Sequence, residues 1–474
     1  MVFSSTLFLF LFLPVVLIGY YNPVWKGRKF KNCFLLLASL GFYAWGEPVF
    51  VFVMILSIVV NWLLGILIDA AGETKIRKRW MIIAVVYDIA LLFIYKYVSF
   101  VVKNIGLLLK DDSFSVNIAL PIGISFFTFQ IMSYIFDVYH KKAPVQKSLI
   151  NTALYISLFP QLIAGPIVRY ETVAREIDGR IETPEDFTEG VVRFVVGLGK
   201  KMLIANYAGF IADRIFALNS ISGGNLSAAS AWLGAIAYTL QIFFDFSAYS
   251  DMAIGLGRMF GFHFLENFNY PYIAKSIGEF WRRWHISLST WFRDYVYIPL
   301  GGSRVSKKRL VGNLFVVWLL TGIWHGANWT FVAWGLFFFV LLAIERFTGF
   351  EKKLGIFAKG VPARVYTLFF VIIGWVLFRA ESMALAGRYL SAMFGFGANG
   401  LADETFWLYW TNGKWILLAG IVLSTPIVPL CRERLNLKPR AYQLVSSLGL
   451  IVIFGLSLLA CIKSTYNPFI YFNF

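Results

Sequence analysis

The chain has 474 residues, of which 59% are hydrophobic and only 15% charged, and its mean hydropathy is +0.69 with a formal net charge of +17. A soluble domain carries about 25% charged residues, so this composition excludes an ordinary soluble protein and points to a chain embedded in lipid. The basic residues gather in short loops between apolar runs, a membrane-topology pattern that argues against nucleic-acid binding, and three widely spaced cysteines (Cys33, Cys431, Cys461) exclude a disulfide framework or a zinc site.

Residues 1–21, MVFSSTLFLFLFLPVVLIGYY, lack a basic leading segment and a small-residue cleavage site. The expectation is a retained first span rather than a signal peptide. Lys26, Arg28, Lys29 and Lys31 follow it; Lys75, Arg77, Lys78 and Arg79 follow the third span; His140, Lys141, Lys142 and Lys147 follow the fifth. The loops between, Gly46-Glu47-Pro48 and Lys110-Asp111-Asp112, are poorer in basic residues. This alternation assigns the positive loops to the cytoplasm and the N-terminus to the outside. Three apolar runs come next, at 149–168, 187–218 and 226–262. The basic loop after them must again be cytoplasmic, so only an even number of them crosses. Residues 149–168 are expected to be re-entrant or interfacial, because Pro160, Gly165 and Pro166 break their helix. Within the third run, Asp245, Tyr249 and Asp251 are costly at membrane depth unless paired. Asp245 and Tyr249 share a helix face, and a structural hydrogen-bond network is the expected role.

Residues 269–309 are the richest stretch. From Phe280 the large apolar groups Phe280, Trp281, Trp284, Leu288, Trp291, Phe292 and Tyr295 recur at helical spacing. That pattern predicts one amphipathic interfacial helix ending at Pro299 and Gly301-Gly302. His285 falls on its apolar seam, one turn after Trp281, while Arg282, Arg283 and Arg293 fall away from it. Lys275, Arg282, Arg283, Arg293, Arg304, Lys307, Lys308 and Arg309 against Glu279 and Asp294 make a basic patch. It is either a topology determinant, a lipid-headgroup surface or a site for the phosphates of a carrier such as coenzyme A or phosphopantetheine.

Residues 310–346 are almost wholly apolar yet contain His325, one of only four histidines. Basic residues flank both ends: Arg304, Lys307, Lys308 and Arg309 before, and Arg346, Lys352, Lys353, Lys359 and Arg364 after. The segment is therefore expected to be a helical hairpin broken at His325-Gly326-Ala327-Asn328, each arm about 16–18 residues long. His325 then sits near the outer tip. An ionisable side chain at membrane depth marks a pathway or reaction centre, and imidazole suits proton transfer near neutral pH. His140, beside Lys141 and Lys142, reads as a solvated loop residue, and His263 as a helix-end residue. After 366–378 an outer segment through Trp407, Trp410 and Lys414 is expected. A return at Arg432, Arg434, Lys438 and Arg440 follows, and a last span ends outside at 466–474. No fixed-period repeat or linker divides the chain. It is read as a single integral-membrane domain over 1–474 with its core site region at 269–346. The fold class is an all-α polytopic membrane bundle of about 11–12 transmembrane helices with re-entrant or interfacial helices. No HExxH, GxSxG or P-loop occurs, which argues against zinc proteases, serine hydrolases and familiar ATP-driven pumps.

The run Phe280-Trp281-Arg282-Arg283-Trp284-His285, with Pro299-Leu300-Gly301-Gly302-Ser303-Arg304 and Leu320-Thr321-Gly322-Ile323-Trp324-His325-Gly326, resembles the membrane-bound O-acyltransferase (MBOAT) family. Within it the bacterial alginate O-acetyltransferase branch is the best fit. Leu120-Pro121-Ile122-Gly123-Ile124-Ser125-Phe126, Phe159-Pro160-Gln161-Leu162-Ile163-Ala164-Gly165-Pro166 and Asn467-Pro468-Phe469 agree, so the resemblance covers nearly the whole chain. It implies an O-acyltransferase whose helices surround a funnel. His325 matches the histidine the family uses in catalysis, and His285 its second functional position. Trp324, Asn328, Arg282, Arg283 and Arg304 are the residues expected to bind donor or substrate. The resemblance further implies an acyl thioester co-substrate, either acetyl-CoA or an acyl carrier, with no bound cofactor or metal. It also implies a polysaccharide acceptor, an extracytoplasmic SGNH-like acetyltransferase partner, membrane lipids around the protein, and residence in the bacterial inner membrane. Two other readings stay open: a polysaccharide or lipid exporter without chemistry, and a lipid O-acyltransferase.

Overall fold

The structure, a computed structural model, describes residues 1–24, 26–111, 113–163, 165–221, 226–349, 360–435, 439–463 and 466–470. Asp112, Ala164, Lys352, Lys353, Lys359, Lys438 and residues 471–474, all used in the sequence reading, lie outside the described residues. Among those described there is no strand. In chain order the helices are α1 (Phe8–Tyr20), α2 (Arg28–Gly46), α3 (Phe50–Ala70), α4 (Thr74–Lys96), α5 (Val98–Leu109), α6 (Ile124–Tyr139), α7 (Leu149–Ser157), α8 (Phe159–Leu162), α9 (Tyr170–Gly179) and α10 (Pro184–Ser220). They continue as α11 (Ala228–Met259), α12 (Ile277–Arg283), α13 (Ile286–Phe292), α14 (Lys307–His325), α15 (Trp329–Thr348) and α16 (Gly360–Arg379). The last are α17 (Met383–Met393), α18 (Glu404–Leu423), α19 (Ile427–Leu435) and α20 (Pro439–Lys463).

Five helices among the described residues are long and apolar enough to cross a membrane, or up to seven if each bent pair, α4 with α5 and α18 with α19, counts as one span. The protein is thus an all-α polytopic membrane protein. That count is smaller than the one expected from loop charge. Charged or buried polar residues lower the hydropathy of other long helices: Arg28, Lys29 and Lys31 open α2, Gln241 and Asp245 interrupt α11, and Lys307, Lys308 and Arg309 open α14. The first apolar helix, α1, covers Phe8–Tyr20 alone, about 20 Å at 1.5 Å per residue, so it is shorter than the expected first span. The Trp407 to Lys414 stretch, expected as an outer segment, is helical and forms the first half of α18.

The chain forms two compact units: residues 1–194 with 249–266, and 195–248 with 267–474. In the first, α2, α3 and α6 pack around α7, which carries Asn151, Tyr155 and Ser157 buried, and α4 packs on α3 and α6. The run at 149–168 is broken at Leu158 between α7 and α8, as its prolines require, and neither piece is long enough to span. Phe3, Phe8, Phe42 and Phe159 make its aromatic core, and Arg28, Tyr20 and Arg180 converge on Glu182 and the neighbouring carbonyls. Asp251 meets Arg193, and Tyr249 stacks on Phe3 at 4.5 Å.

The second unit is organised by the α14–α15 hairpin, the most extensively packed helix pair in the protein. Its arms run for 19 and 20 residues, roughly 30 Å each, somewhat longer than loop charge suggested. Gly322 and Gly335 face each other across it, where small residues let two backbones approach closely. Asp245, anticipated as part of a network, pairs with Lys201 at 2.6 Å and accepts from Ile470 N at 3.0 Å; both charged side chains are almost fully buried. Around this core α16 packs on α15, and α12 packs on α15 and α16.

Candidate active site

The expected single helix over Phe280 to Tyr295 is two short helices. Ser276 caps α12 by accepting from Glu279 N, and both Glu345 oxygens, from the end of α15, take the Ile277 and Gly278 amides at 2.7 and 3.0 Å. A carboxylate on two orphan amides of a helix start fixes α12 against the hairpin. After Arg283 the chain turns extended at Trp284, and His285 takes the left-handed conformation, φ 45° and ψ 53°. A non-glycine residue there is strained by about 1–2 kcal/mol and persists only where its surroundings hold it. Here the hold is Asn267. Its backbone carbonyl accepts from Ile286 N at 2.9 Å, and its Oδ1 meets His285 Nδ1 at 3.2 Å, Ser287 N at 3.1 Å and Ser287 Oγ at 2.9 Å. Burial pushes the His285 imidazole down to about 3, so it is neutral at physiological pH.

His325 is the last residue of α14 and is buried. Its ring sits in an aromatic enclosure: Trp324 and Trp334 at 5.0 Å and Phe378 of α16 at 5.1 Å, all edge-on. Trp324 also lies 6.1 Å from His285, whose other face meets Phe246 at 4.5 Å. The two histidines, forty residues apart in sequence, line one cavity of about 500 Å³. Trp281, Trp284 and Trp318 form its apolar wall, with Ser289, Thr290 and Thr321 among its polar groups. Arg282, Arg293 and Arg346 line it too and are exposed, so they mark its mouth. Trp281 Nε1, Tyr297 Oη and His285 Nε2 are buried with no hydrogen-bond partner among the described residues. Buried polar groups are normally satisfied, and these three belong to residues that line the cavity.

Of the residues expected from sequence, His285, His325 and Arg282 come together here, and Trp324 lies beside both histidine rings without being among the residues that line the cavity. Arg283 instead pairs with Glu279 at 2.8 Å. Arg304 is exposed and is not among the residues lining the cavity. Asn328 caps α15 through Thr330 N and donates to the Glu381 carbonyl at 2.9 Å. His263 is partly exposed between Glu176 and Asp186, at 2.9 and 3.1 Å. Asn267, Tyr297 and Glu345 were not anticipated. Each lies in an unremarkable local pattern, and only its contacts single it out. Among the described residues no group of three or more His, Cys, Asp or Glu could hold a metal ion.

A family model described as MBOAT, membrane-bound O-acyltransferase family, matches residues 37–351, which include both histidines. A probable alginate O-acetylase of Pseudomonas syringae pv. tomato is 46% identical over 84% of this chain and 76% of its own. The corresponding protein of Pseudomonas putida is 40% identical over the full length of both chains. A peptidoglycan O-acetyltransferase of Helicobacter pylori is 31% identical over 100% of this chain and 98% of its own. With that extent of similarity and an all-helical membrane architecture, the chain belongs to the membrane-bound O-acyltransferase family and is an O-acyltransferase.

Proposed function

We propose that this protein moves an acetyl group from a cytoplasmic thioester, through the His285–His325 cavity, for O-acetylation of an exported polysaccharide. The observation that carries this reading is the convergence of two buried histidines on one cavity with an arginine-lined mouth. The names of the relatives, acetylases of alginate and of peptidoglycan, support the acceptor class. Exposed arginines suit the phosphates of coenzyme A or of a phosphopantetheine carrier. The whole chain acts as one membrane domain with its working region at 269–346, and it resides in the bacterial inner membrane with the arginine mouth on the cytoplasmic side.

In this mechanism His325 takes the proton of an acceptor hydroxyl as the oxygen attacks the thioester carbonyl carbon. A C–O bond forms, the C–S bond breaks, and the proton passes on to the leaving thiolate. Trp281 Nε1–H and Tyr297 O–H are the donors at hand for carbonyl oxygens of the acyl arm. Trp324, Trp334 and Phe378 keep water from the imidazole. The hydroxyl belongs to the glycan or to an SGNH-like partner outside the membrane that completes delivery. The test is His325→Ala expressed in a strain lacking the wild-type gene, with polymer acetyl content and labelled-thioester consumption both read at matched protein level. Both are expected to fall about 10²–10⁴-fold, the usual cost of a missing general base. Near-normal acetylation refutes the role of His325, and transport of glycan without thioester consumption refutes the enzyme reading for this site.

A further inference from the structure

Asn267 stands outside the family-like motifs yet bonds the His285 turn through both its backbone carbonyl and its side-chain oxygen. It is completely buried, on the segment that precedes α12. The identity of its Oδ1 is fixed by chemistry. Ser287 N, at 3.1 Å, can only donate, so the atom facing it is the oxygen and not the amide nitrogen. The same oxygen faces His285 Nδ1 at 3.2 Å. An acceptor oxygen opposite a ring nitrogen requires that nitrogen to carry the proton, because the alternative sets two lone pairs against each other. Ser287 Oγ donates its single proton to Oδ1 at 2.9 Å, and its own contact with Nδ1 is longer, at 3.5 Å. The far edge of the ring, Nε2, is buried and has no partner among the described residues, on a side chain that lines the cavity.

We propose that Asn267 is a positioning residue that locks His285 as the Nδ1–H tautomer, so that Nε2 presents a lone pair to the cavity and accepts a hydrogen bond from a substrate N–H or O–H. The assignment rests on the reading of the cavity as the acyl-transfer site and adds a direction to it. His285 cannot be the donor that stabilises a developing oxyanion; its partner is an amide N–H of the thioester arm or the acceptor hydroxyl. The burial that keeps this imidazole neutral agrees with an acceptor role.

The protein's four histidines make the tautomer measurable in the intact chain. Full-length protein labelled with 15N-histidine and reconstituted in lipid is compared with His285→Gln by solid-state NMR. The His285 signals should show a protonated Nδ1 and an unprotonated Nε2. A protonated Nε2 overturns the proposal whatever the activity. Asn267→Leu should spread His285 over both tautomers and lower kcat about 10- to 100-fold, the usual effect of losing an outer hydrogen-bond partner. Asn267→Asp keeps the acceptor oxygen and should keep the tautomer, while its carboxylate favours imidazolium and moves the acid limb of the pH–rate profile to higher pH. If Asn267→Leu leaves the Nδ1–H tautomer and kcat unchanged, Asn267 does not position the ring; if it fails to fold, the wild-type spectrum still decides. Wild-type acetylation by His285→Gln, with the Nδ1–H tautomer observed in the parent protein, refutes the functional reading of His285 and leaves the tautomer assignment standing.

Discussion

The hairpin that carries His325 depends on a close approach that a single methyl group disrupts. A Cβ built on Gly322 lies 2.5 Å from the Phe331 carbonyl oxygen, and one on Gly335 lies 2.5 Å from the Trp318 carbonyl oxygen. Ordinary contact begins at 3.4 Å, and both opposing atoms are backbone, so no side chain can swing aside. Gly322→Ala must therefore separate the two arms by about 1 Å, at an overpacking cost of about 1–3 kcal/mol. His325 is three residues further along the same arm, nearly one helical turn away, and its enclosure by Trp334 and Phe378 depends on that spacing. A misplacement of about 1 Å at a reacting group lowers turnover about 10²-fold. Gly312 is the internal control: it lies on the same arm, and its Cβ would meet nothing within 4 Å. Gly312→Ala should keep full activity and gain about 0.5–1 kcal/mol from helix propensity. The assay is thioester turnover by purified protein, with thermal unfolding in detergent measured alongside. Full turnover by a stable Gly322→Ala protein refutes the claim that hairpin contact sets the place of His325.

Arg282→Glu and Arg346→Glu should raise KM for the thioester donor about 10-fold with a smaller effect on kcat, whereas Arg304→Glu, which does not line the cavity, should not; equal effects at all three would favour a diffuse charge role. Lys201→Met should destabilise the protein by about 3–5 kcal/mol by leaving Asp245 buried without its cation, and adding Asp245→Leu should recover most of that loss, both read from thermal unfolding. For His263 burial disfavours the charged form, but hydrogen bonds and charge from Glu176 and Asp186 outweigh it and raise the imidazole above its ordinary value of 6.5. A raised folded value makes the contribution to stability complete below the unfolded value and lost as pH rises through the folded one. The unfolding temperature should therefore decline as pH rises above about 6.5, and His263→Gln should flatten that decline.

Membrane residence, the all-helical class and the hairpin at 310–346 were legible in the sequence because each follows from local quantities: hydropathy, loop charge and helix-breaking residues. His325 was legible for the same reason, as an ionisable side chain within an apolar run. Local periodicity misread the segment around His285. The apolar residues from Phe280 to Tyr295 keep helical spacing, yet the chain leaves the helix at Trp284, where Asn267 takes the Ile286 and Ser287 amides and meets the His285 ring, bonds that a continuous helix would forgo. Asp245 announced a buried network, but its cation, Lys201, lies on another helix and had no local mark. The sequence by itself determined the all-helical membrane class, which residues are too polar to sit in lipid unaided, and that two histidines invite attention. Only the tertiary structure decided that these histidines share a cavity, that Arg282, Arg293 and Arg346 form its mouth while Arg283 and Arg304 do not, and that His285 Nδ1 meets Asn267 Oδ1. Hydropathy and spacing act between neighbours along the chain, whereas a cavity, an ion pair and a tautomer are set by partners that only folding brings within 3–6 Å of each other.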